Sequence, residues 1–197
     1  MATNKFVHIL PLEGSVKYCK DLFGKDESNR LMNVLREEIS WKPDVVKIYG
    51  KTIITKRQVA WYGDEGIKYR YSGIDRYALP WTSELIQINS TIQTLMNESY
   101  NSCLLNYYSN GNEGMAWHSD DEKELNPETG ILSLSFGANR RFCFKHKFRD
   151  LKTELILEHG SALLMDAMCQ KYWKHSLPLM KKIQDARINL TFRNIIQ

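Results

Sequence analysis

At 197 residues, 43% hydrophobic and with a net charge of +4, the chain is sized for one domain with a substantial core, and its composition excludes a disordered polymer. No apolar run is long enough to span a bilayer. Its 4 scattered cysteines contain no C-x-x-C pair, which excludes a zinc ribbon or disulfide framework. Because Pro11 and Glu13 interrupt any secretory h-region, the expectation is a reduced cytoplasmic protein, nuclear if eukaryotic.

The first periodic segment runs from Ser28 to Ile39. Leu31, Leu35 and Ile39 recur every fourth residue there, which predicts an amphipathic helix capped by Ser28 or Asp26. Residues 41–73 are rich in Tyr, Lys and Gly and read as short strands and turns. After Leu79-Pro80 a second helix is predicted to about Glu98, with Leu85, Ile88, Ile92, Leu95 and Met96 on one stripe and Thr82 or Ser83 as its cap. From there the period changes to two. Strands are expected at 100–108, 115–120, 131–136, 140–146, 154–158, 161–166, 172–177 and 187–193, with a loop at 126–130. Many short, closely spaced strands point to a sandwich or jelly roll. The expected class is α+β, mainly β, with a helical and mixed N-terminal half buttressing an all-β C-terminal half. Basic clusters at 42–57, 140–152 and 171–182 suit a phosphate backbone.

Two patterns carry chemistry. In the last strand Ile188, Leu190 and Phe192 share one face, while Arg187, Asn189, Thr191 and Arg193 share the other. A face with two arginines, an amide and a hydroxyl fits the floor of an anion pocket, since Arg recognises carboxylate or phosphate with a bidentate fork. Upstream, His118 and Asp120 stand two apart on a strand and point into the same space. A third ligand must come from elsewhere: His175, with His8, His146 and His159 as alternatives. Two histidines and a carboxylate with open positions opposite is the pattern of non-haem Fe(II) oxygenases, and zinc with a bound water is the competing reading. A ferrous ion so held needs a chelating, electron-donating co-substrate. A 2-oxo acid is one, and its far carboxylate needs an arginine. Asn106 and Tyr108, on one strand face just before the metal strand, can donate to the same carboxylates.

Together these residues resemble the AlkB family of Fe(II)- and 2-oxoglutarate-dependent nucleic-acid dealkylases. The matches are N-x-Y-x-x-G (Asn106, Tyr108, Gly111), H-x-D (His118, Asp120), the distal His175 and R-x-N-x-x-x-R (Arg187, Asn189, Arg193). The strings at 61–73, 118–122, 134–142 and 187–193 are similar to the branch containing the human-type DNA dealkylases, from about residue 45 to the end. The resemblance implies a double-stranded β-helix in a single domain spanning 1–197, with a nucleotide-recognition lid at 41–80 and a dioxygenase core at 99–197. It implies that His118, Asp120 and His175 hold Fe(II) and that Arg187 pairs with the distal carboxylate of 2-oxoglutarate. Asn106, Tyr108, Asn189, Thr191 and Arg193 would complete that pocket, with O2 as the oxidant. Tyr69, Tyr71 and Ser72 would line the lesion pocket, with Tyr71 and His118 sandwiching the flipped base and Asp121 and Glu122 facing it. Tyr49 would be the aromatic finger filling the gap in a duplex, and Arg57 a basic residue near that strand. The pair Ile48-Tyr49 departs from the fully apolar pair of a duplex specialist.

The implied activity is direct reversal of N-alkyl damage such as 1-methyladenine and 3-methylcytosine. Oxidation of the alkyl carbon gives an unstable hemiaminal that releases formaldehyde, with succinate and CO2 as co-products. Such a base must leave the stack first, and the aromatic, basic segment 45–73 suits that task. The implied partner is single- or double-stranded DNA or RNA, engaged by a monomer. A 2-oxoglutarate hydroxylase of protein, RNA or a small molecule is the alternative, and a nucleic-acid-binding module with a vestigial metal site is a third reading.

Overall fold

The computed structural model describes residues 6–48, 51–71 and 74–196; for 46–48, 51, 53, 69–71 and 74–76 the backbone alone is described. Strands β1 (Val7–His8) and β2 (Val16–Cys19) lead into helix α1 (Lys25–Glu38). Then come β3 (Lys42–Ile48), β4 (Lys51–Gly63), β5 (Lys68–Tyr71), β6 (Ile74–Tyr77), β7 (Leu79–Pro80) and helix α2 (Ser83–Met96). The remainder is β8 (Ser102–Tyr108), β9 (Met115–His118), β10 (Ile131–Gly137), β11 (Arg140–His146), β12 (Lys152–Leu157), β13 (Ser161–Met165), α3 (Ala167–Tyr172), β14 (Trp173–Leu177) and β15 (Arg187–Arg193).

Among the described residues the major sheet runs β1-β2-β13-β10-β15-β8-β4-β3, and the minor sheet runs β12-β11-β14-β9. Both are antiparallel along these paths, apart from β7, which pairs parallel with the end of β4. The expected jelly roll is therefore present, but its major sheet is not confined to the C-terminal half. Strands β1 and β2 extend one edge and β3 and β4 the other.

Alternation along β15 explains how the layers stack. Ile188, Leu190 and Phe192 are fully buried in one cluster with Leu31 and Leu35 of α1 and Leu85, Ile88 and Ile92 of α2. Both helices thus cover the outer face of the major sheet, and the polar face of β15 turns inward. A second cluster joins the sheets: Ile131, Leu163 and Met165 of the major sheet meet Phe144, Leu157 and Trp173 of the minor one.

The helix ends refine the sequence reading. Thr82 caps α2, its hydroxyl accepting from the Leu85 N–H at 3.2 Å. Helix α1 begins earlier than expected, after Gly24, and no side chain caps it. Ser28 instead lies buried in the first turn and donates to the Phe23 carbonyl at 2.8 Å. Helix α3 had no apolar stripe long enough to announce it. It exists because the Asp166 carboxylate accepts from the Cys169 N–H at 2.7 Å and ties its other oxygen to the Ser15 N–H at 2.9 Å.

Candidate active site

Strands β9 and β14 are neighbours in the minor sheet, and their register sets His118 directly opposite His175. The two Nε2 atoms lie 3.1 Å apart. Asp120 Oδ1 is 3.7 Å from His118 Nε2, and one ligand atom from each of the three residues falls within 4.8 Å of the others. The remaining candidates lie elsewhere. His146 Nε2 meets Glu13 at 2.7 Å, His159 Nδ1 accepts from the Gly137 N–H at 2.8 Å, and His8 sits on the edge strand β1.

The surroundings prepare all three for a cation. His118 Nδ1 lies 2.8 Å from the Ala116 carbonyl, so it carries the proton and leaves the Nε2 lone pair facing the centre. Burial pushes His175 down to about 4, so it is a neutral ligand at physiological pH. Phe142 stacks on its ring at 5.4 Å. Burial alone would raise the Asp120 carboxyl, but Arg193, His175 and His118 outweigh it and hold the group below its ordinary value. Arg193 Nη2 is 3.0 Å from Asp120 Oδ2, and the Asp120 N–H donates to Gln170 Oε1 at 3.0 Å. The two imidazole Nε2 atoms converge to 3.1 Å beside the Asp120 carboxylate, so three ligand atoms turn toward one point. His118, Asp120 and His175 would hold a divalent metal here. The site fits the ion.

The inward face of β15 forms the adjoining floor. Arg187 is 2% exposed. Its Nη2 donates to Ser135 Oγ at 2.8 Å and to Asn189 Oδ1 at 2.6 Å. Ser133 Oγ donates to the same Asn189 oxygen at 2.9 Å, and Asn189 Nδ2 donates to Thr191 Oγ1 at 2.8 Å. Across the sheet Tyr108 and Asn106 sit opposite Arg187 and Asn189. The Arg187 guanidinium lies 5.5 Å from the Tyr108 ring, and that of Arg140 5.8 Å. Arg140 is occupied by the carbonyls of Glu113 (2.6 Å), Pro178 (3.1 Å) and Asn110 (3.3 Å). Arg187 meets no carboxylate among the described residues, and its Nε has no hydrogen-bond partner there. A buried cation without an anion is a receptor for one. The glycine of N-x-Y-x-x-G also has a physical role. A Cβ on Gly111 would stand 1.9 Å from the Met180 carbonyl oxygen, where the loop after β14 closes over the end of β8.

His118, Asp120, His175, Asn106, Tyr108, Ser133 and the inward residues of β15 line one cavity of about 380 Å³. Its wall also includes Val59 and Trp61 of β4, Leu104 of β8, Met115 of β9, Phe142 and Leu177. Sequence reasoning missed Trp61, Ser133 and Ser135. The serines were recoverable, because Leu132, Leu134 and Phe136 alternate with Ser133 and Ser135 in β10 just as apolar and polar residues alternate in β15. Glu122 lines the cavity, whereas Asp121 is exposed and 3.7 Å from Lys147. Asp120 and Glu122 line the cavity while Asp121 between them turns outward, so only one of the two acids expected to face the base does so. Arg57 lies in the cavity wall paired with Asp44. Tyr69 and Tyr71 lie on β5, opposite Arg76 and Ile74; their side chains, with Tyr49 and Ser72, lie outside the described residues.

Residues 15–193 match the family described as the 2OG-Fe(II) oxygenase superfamily. The chain belongs to that superfamily. It is a dioxygenase that uses Fe(II), 2-oxoglutarate and O2, and its sequence relatives are AlkB homologues. It is 37% identical over 186 residues to the Homo sapiens protein named DNA oxidative demethylase ALKBH2, covering 89% of this chain and 71% of that one. The Mus musculus protein of the same name is 36% identical over 186 residues, covering 89% and 78%. The Bos taurus alpha-ketoglutarate-dependent dioxygenase alkB homolog 3 is 32% identical over 187 residues, covering 90% and 65%. The solved structure of OsALKBH1 superposes with a TM-score of 0.64 at 14% identity, over 94% of this chain and 99% of that one, a likeness of fold. Among the described residues no helix is long and apolar enough to cross a membrane.

Proposed function

We propose that this dioxygenase repairs N-alkylated DNA bases, such as 1-methyladenine and 3-methylcytosine, by oxidative demethylation. The observation that carries the reading is identity of 36–37% over 186 residues with proteins named DNA oxidative demethylase. The cavity supports it. At about 380 Å³, towards the lower end of the roughly 300–1,000 Å³ usual for ligand pockets, it suits a small diacid and one flat ring rather than a peptide. Trp61, Val59 and Leu104 form its apolar wall, and the triad with the β15 floor forms its polar side.

In this reading His118, Asp120 and His175 hold Fe(II), which with 2-oxoglutarate and O2 supplies the oxidising power. Arg187 receives the distal carboxylate of 2-oxoglutarate. Asn106, Tyr108, Asn189 and Thr191 orient the rest, while Arg193 holds Asp120 in its ligating rotamer. Alkylation at N1 of adenine or N3 of cytosine gives the base a positive charge, and Glu122 on the cavity wall favours that cation over a neutral base. Trp61 offers the ring a stacking face. Tyr69, Tyr71 and Ser72 complete the lesion pocket, and Tyr49 serves a duplex substrate. Oxygen inserted into the N-methyl C–H bond gives a hemiaminal, whose C–N bond breaks to leave the repaired base and formaldehyde. The other oxygen atom of O2 ends in succinate as CO2 leaves. The enzyme acts as a monomer where DNA is found, in cytoplasm or nucleus.

The test is incubation with Fe(II), ascorbate, 2-oxoglutarate and oligonucleotides carrying either lesion, reading formaldehyde and base mass. Turnover on single- or double-stranded DNA is expected. Succinate release without loss of the methyl group on any DNA would overturn the reading and favour another substrate class.

A further inference from the structure

Arg57 stands in an unexpected place for a residue that grips a nucleic-acid backbone. Strand β4 pairs with β8 so that Gln58 faces Tyr107 and Val59 faces Asn106. Arg57 therefore falls beside Tyr108, on the face that also carries Val59, Trp61, Asn106 and the cavity. Its side chain is 11% exposed and that of its partner Asp44 is 7% exposed. A cation meant for phosphate sits in solvent, whereas this one is buried and already neutralised.

A buried ion pair is weak evidence for stability, because two desolvated charges recover little more than they lose. It is better evidence for placement. One terminal nitrogen of Arg57 binds Asp44, and the other reaches Met115 Sδ at 3.1 Å, on the strand that carries His118. Strand register sets Tyr108 between Arg57 on β4 and Arg187 on β15, all three lining the cavity, with the Arg187 guanidinium 5.5 Å from the Tyr108 ring. The β3–β4 register is irregular here: Asp44 alone stands opposite residues 55–57, so the extra residues lie on β4 and bring Arg57 against Asp44. Bulges commonly re-aim a side chain beside an active site. The chain of contacts runs Asp44, Arg57, Tyr108, Arg187.

We propose that Arg57, pinned by Asp44, is a positioning residue of the 2-oxoglutarate site that holds the Tyr108 phenol against Arg187. Since Asp44 and Arg57 lie on β3 and β4, co-substrate occupancy and nucleic-acid binding by that strand pair are coupled, and the coupling is reciprocal. The proposal rests on the reading of the β15 floor as the 2-oxoglutarate pocket.

The test uses the full chain loaded with Mn(II) in place of Fe(II). Calorimetry measures 2-oxoglutarate affinity, and fluorescence anisotropy measures binding of a short single-stranded oligonucleotide carrying 1-methyladenine. Arg57→Gln is expected to weaken 2-oxoglutarate about tenfold, as for a lost bond in a charged network, with Mn(II) affinity unchanged. Arg57→Lys keeps the charge but loses the fork, and gives the same loss should the glutamine variant fail to fold. In a Tyr108→Phe background either change adds less than about twofold, because the effect passes through the phenol. Saturating 2-oxoglutarate tightens oligonucleotide binding about fivefold in the wild type and not in the variants. A folded variant with wild-type 2-oxoglutarate affinity, an undiminished loss in the Tyr108→Phe background, or equal coupling in all forms would overturn the proposal. If the wild type itself fails to bind 2-oxoglutarate, the pocket reading falls and the proposal with it; binding by the wild type with indifferent variants removes the proposal alone.

Discussion

Replacing Arg187 with methionine separates what this residue does for the fold from what it does for the ligand. In the ligand-free protein its charge is buried without an anion, and burial holds it down to about 10, below its ordinary value. That difference disfavours the charged form by about 3 kcal/mol. Against this stand its two donated bonds, to Ser135 and Asn189, worth roughly 1–2 kcal/mol each. The terms nearly cancel. Arg187→Met, similar in volume and uncharged, should therefore unfold within about 1 kcal/mol of the wild type. Removing one partner of a satisfied buried ion pair would instead cost about 3–5 kcal/mol. Ligand binding tells the opposite story. At a 2-oxoglutarate concentration of 100 times Kd the wild type gains about 2.7 kcal/mol, a rise in Tm of roughly 5–10 °C for a domain of this size. In the variant the carboxylate lands unpaired, affinity drops by about a hundredfold or more, and the shift vanishes. Thermal and urea unfolding of the Mn(II)-loaded protein, with and without 2-oxoglutarate, measures both. A variant that loses more than about 3 kcal/mol without ligand, or keeps its ligand-induced shift, would refute the reasoning.

Gly111→Ala should destabilise the protein by about 2 kcal/mol or more, because its Cβ meets backbone rather than a movable side chain; urea unfolding reads this, with weaker 2-oxoglutarate binding as Tyr108 shifts. His175→Gln should abolish the thermal shift produced by Mn(II), since a neutral imidazole ligand is lost. Trp61→Ala should slow formaldehyde release on a lesion oligonucleotide by about tenfold while leaving 2-oxoglutarate affinity as it was. Neutral His159 accepts from the Gly137 N–H and faces Asn29 Oδ1 at 3.2 Å, and burial holds it below its ordinary value. As pH falls below about 6.5 the unfolded chain takes up this proton first. The contribution is whole above that pH and declines towards the folded value. Denaturation from pH 8 to 5 should show His159→Gln losing less stability on acidification than the wild type.

Much of the site was legible in strand periodicity. A period of two forces Arg187, Asn189 and Thr191 to one side and Ile188, Leu190 and Phe192 to the other, whatever the rest of the chain does; the strand expected over 115–120 ends at His118, so Asp120 reaches the same centre from just beyond β9 rather than by strand period. Local rules also set the Thr82 cap and the apolar stripes of both helices. The remainder depended on partners far away in the chain. His175 is selected over three other histidines by the β9–β14 register, and pairing between strands separated by more than fifty residues leaves no local signature. The same holds for Arg57: in sequence it is one basic residue in a basic segment, and only the β4–β8 pairing and the β4 irregularity at 55–57 turn it into the cavity. Periodicity determined which way each side chain points; tertiary pairing decided what it meets there, because charge and burial belong to the assembled sheets rather than to any single strand.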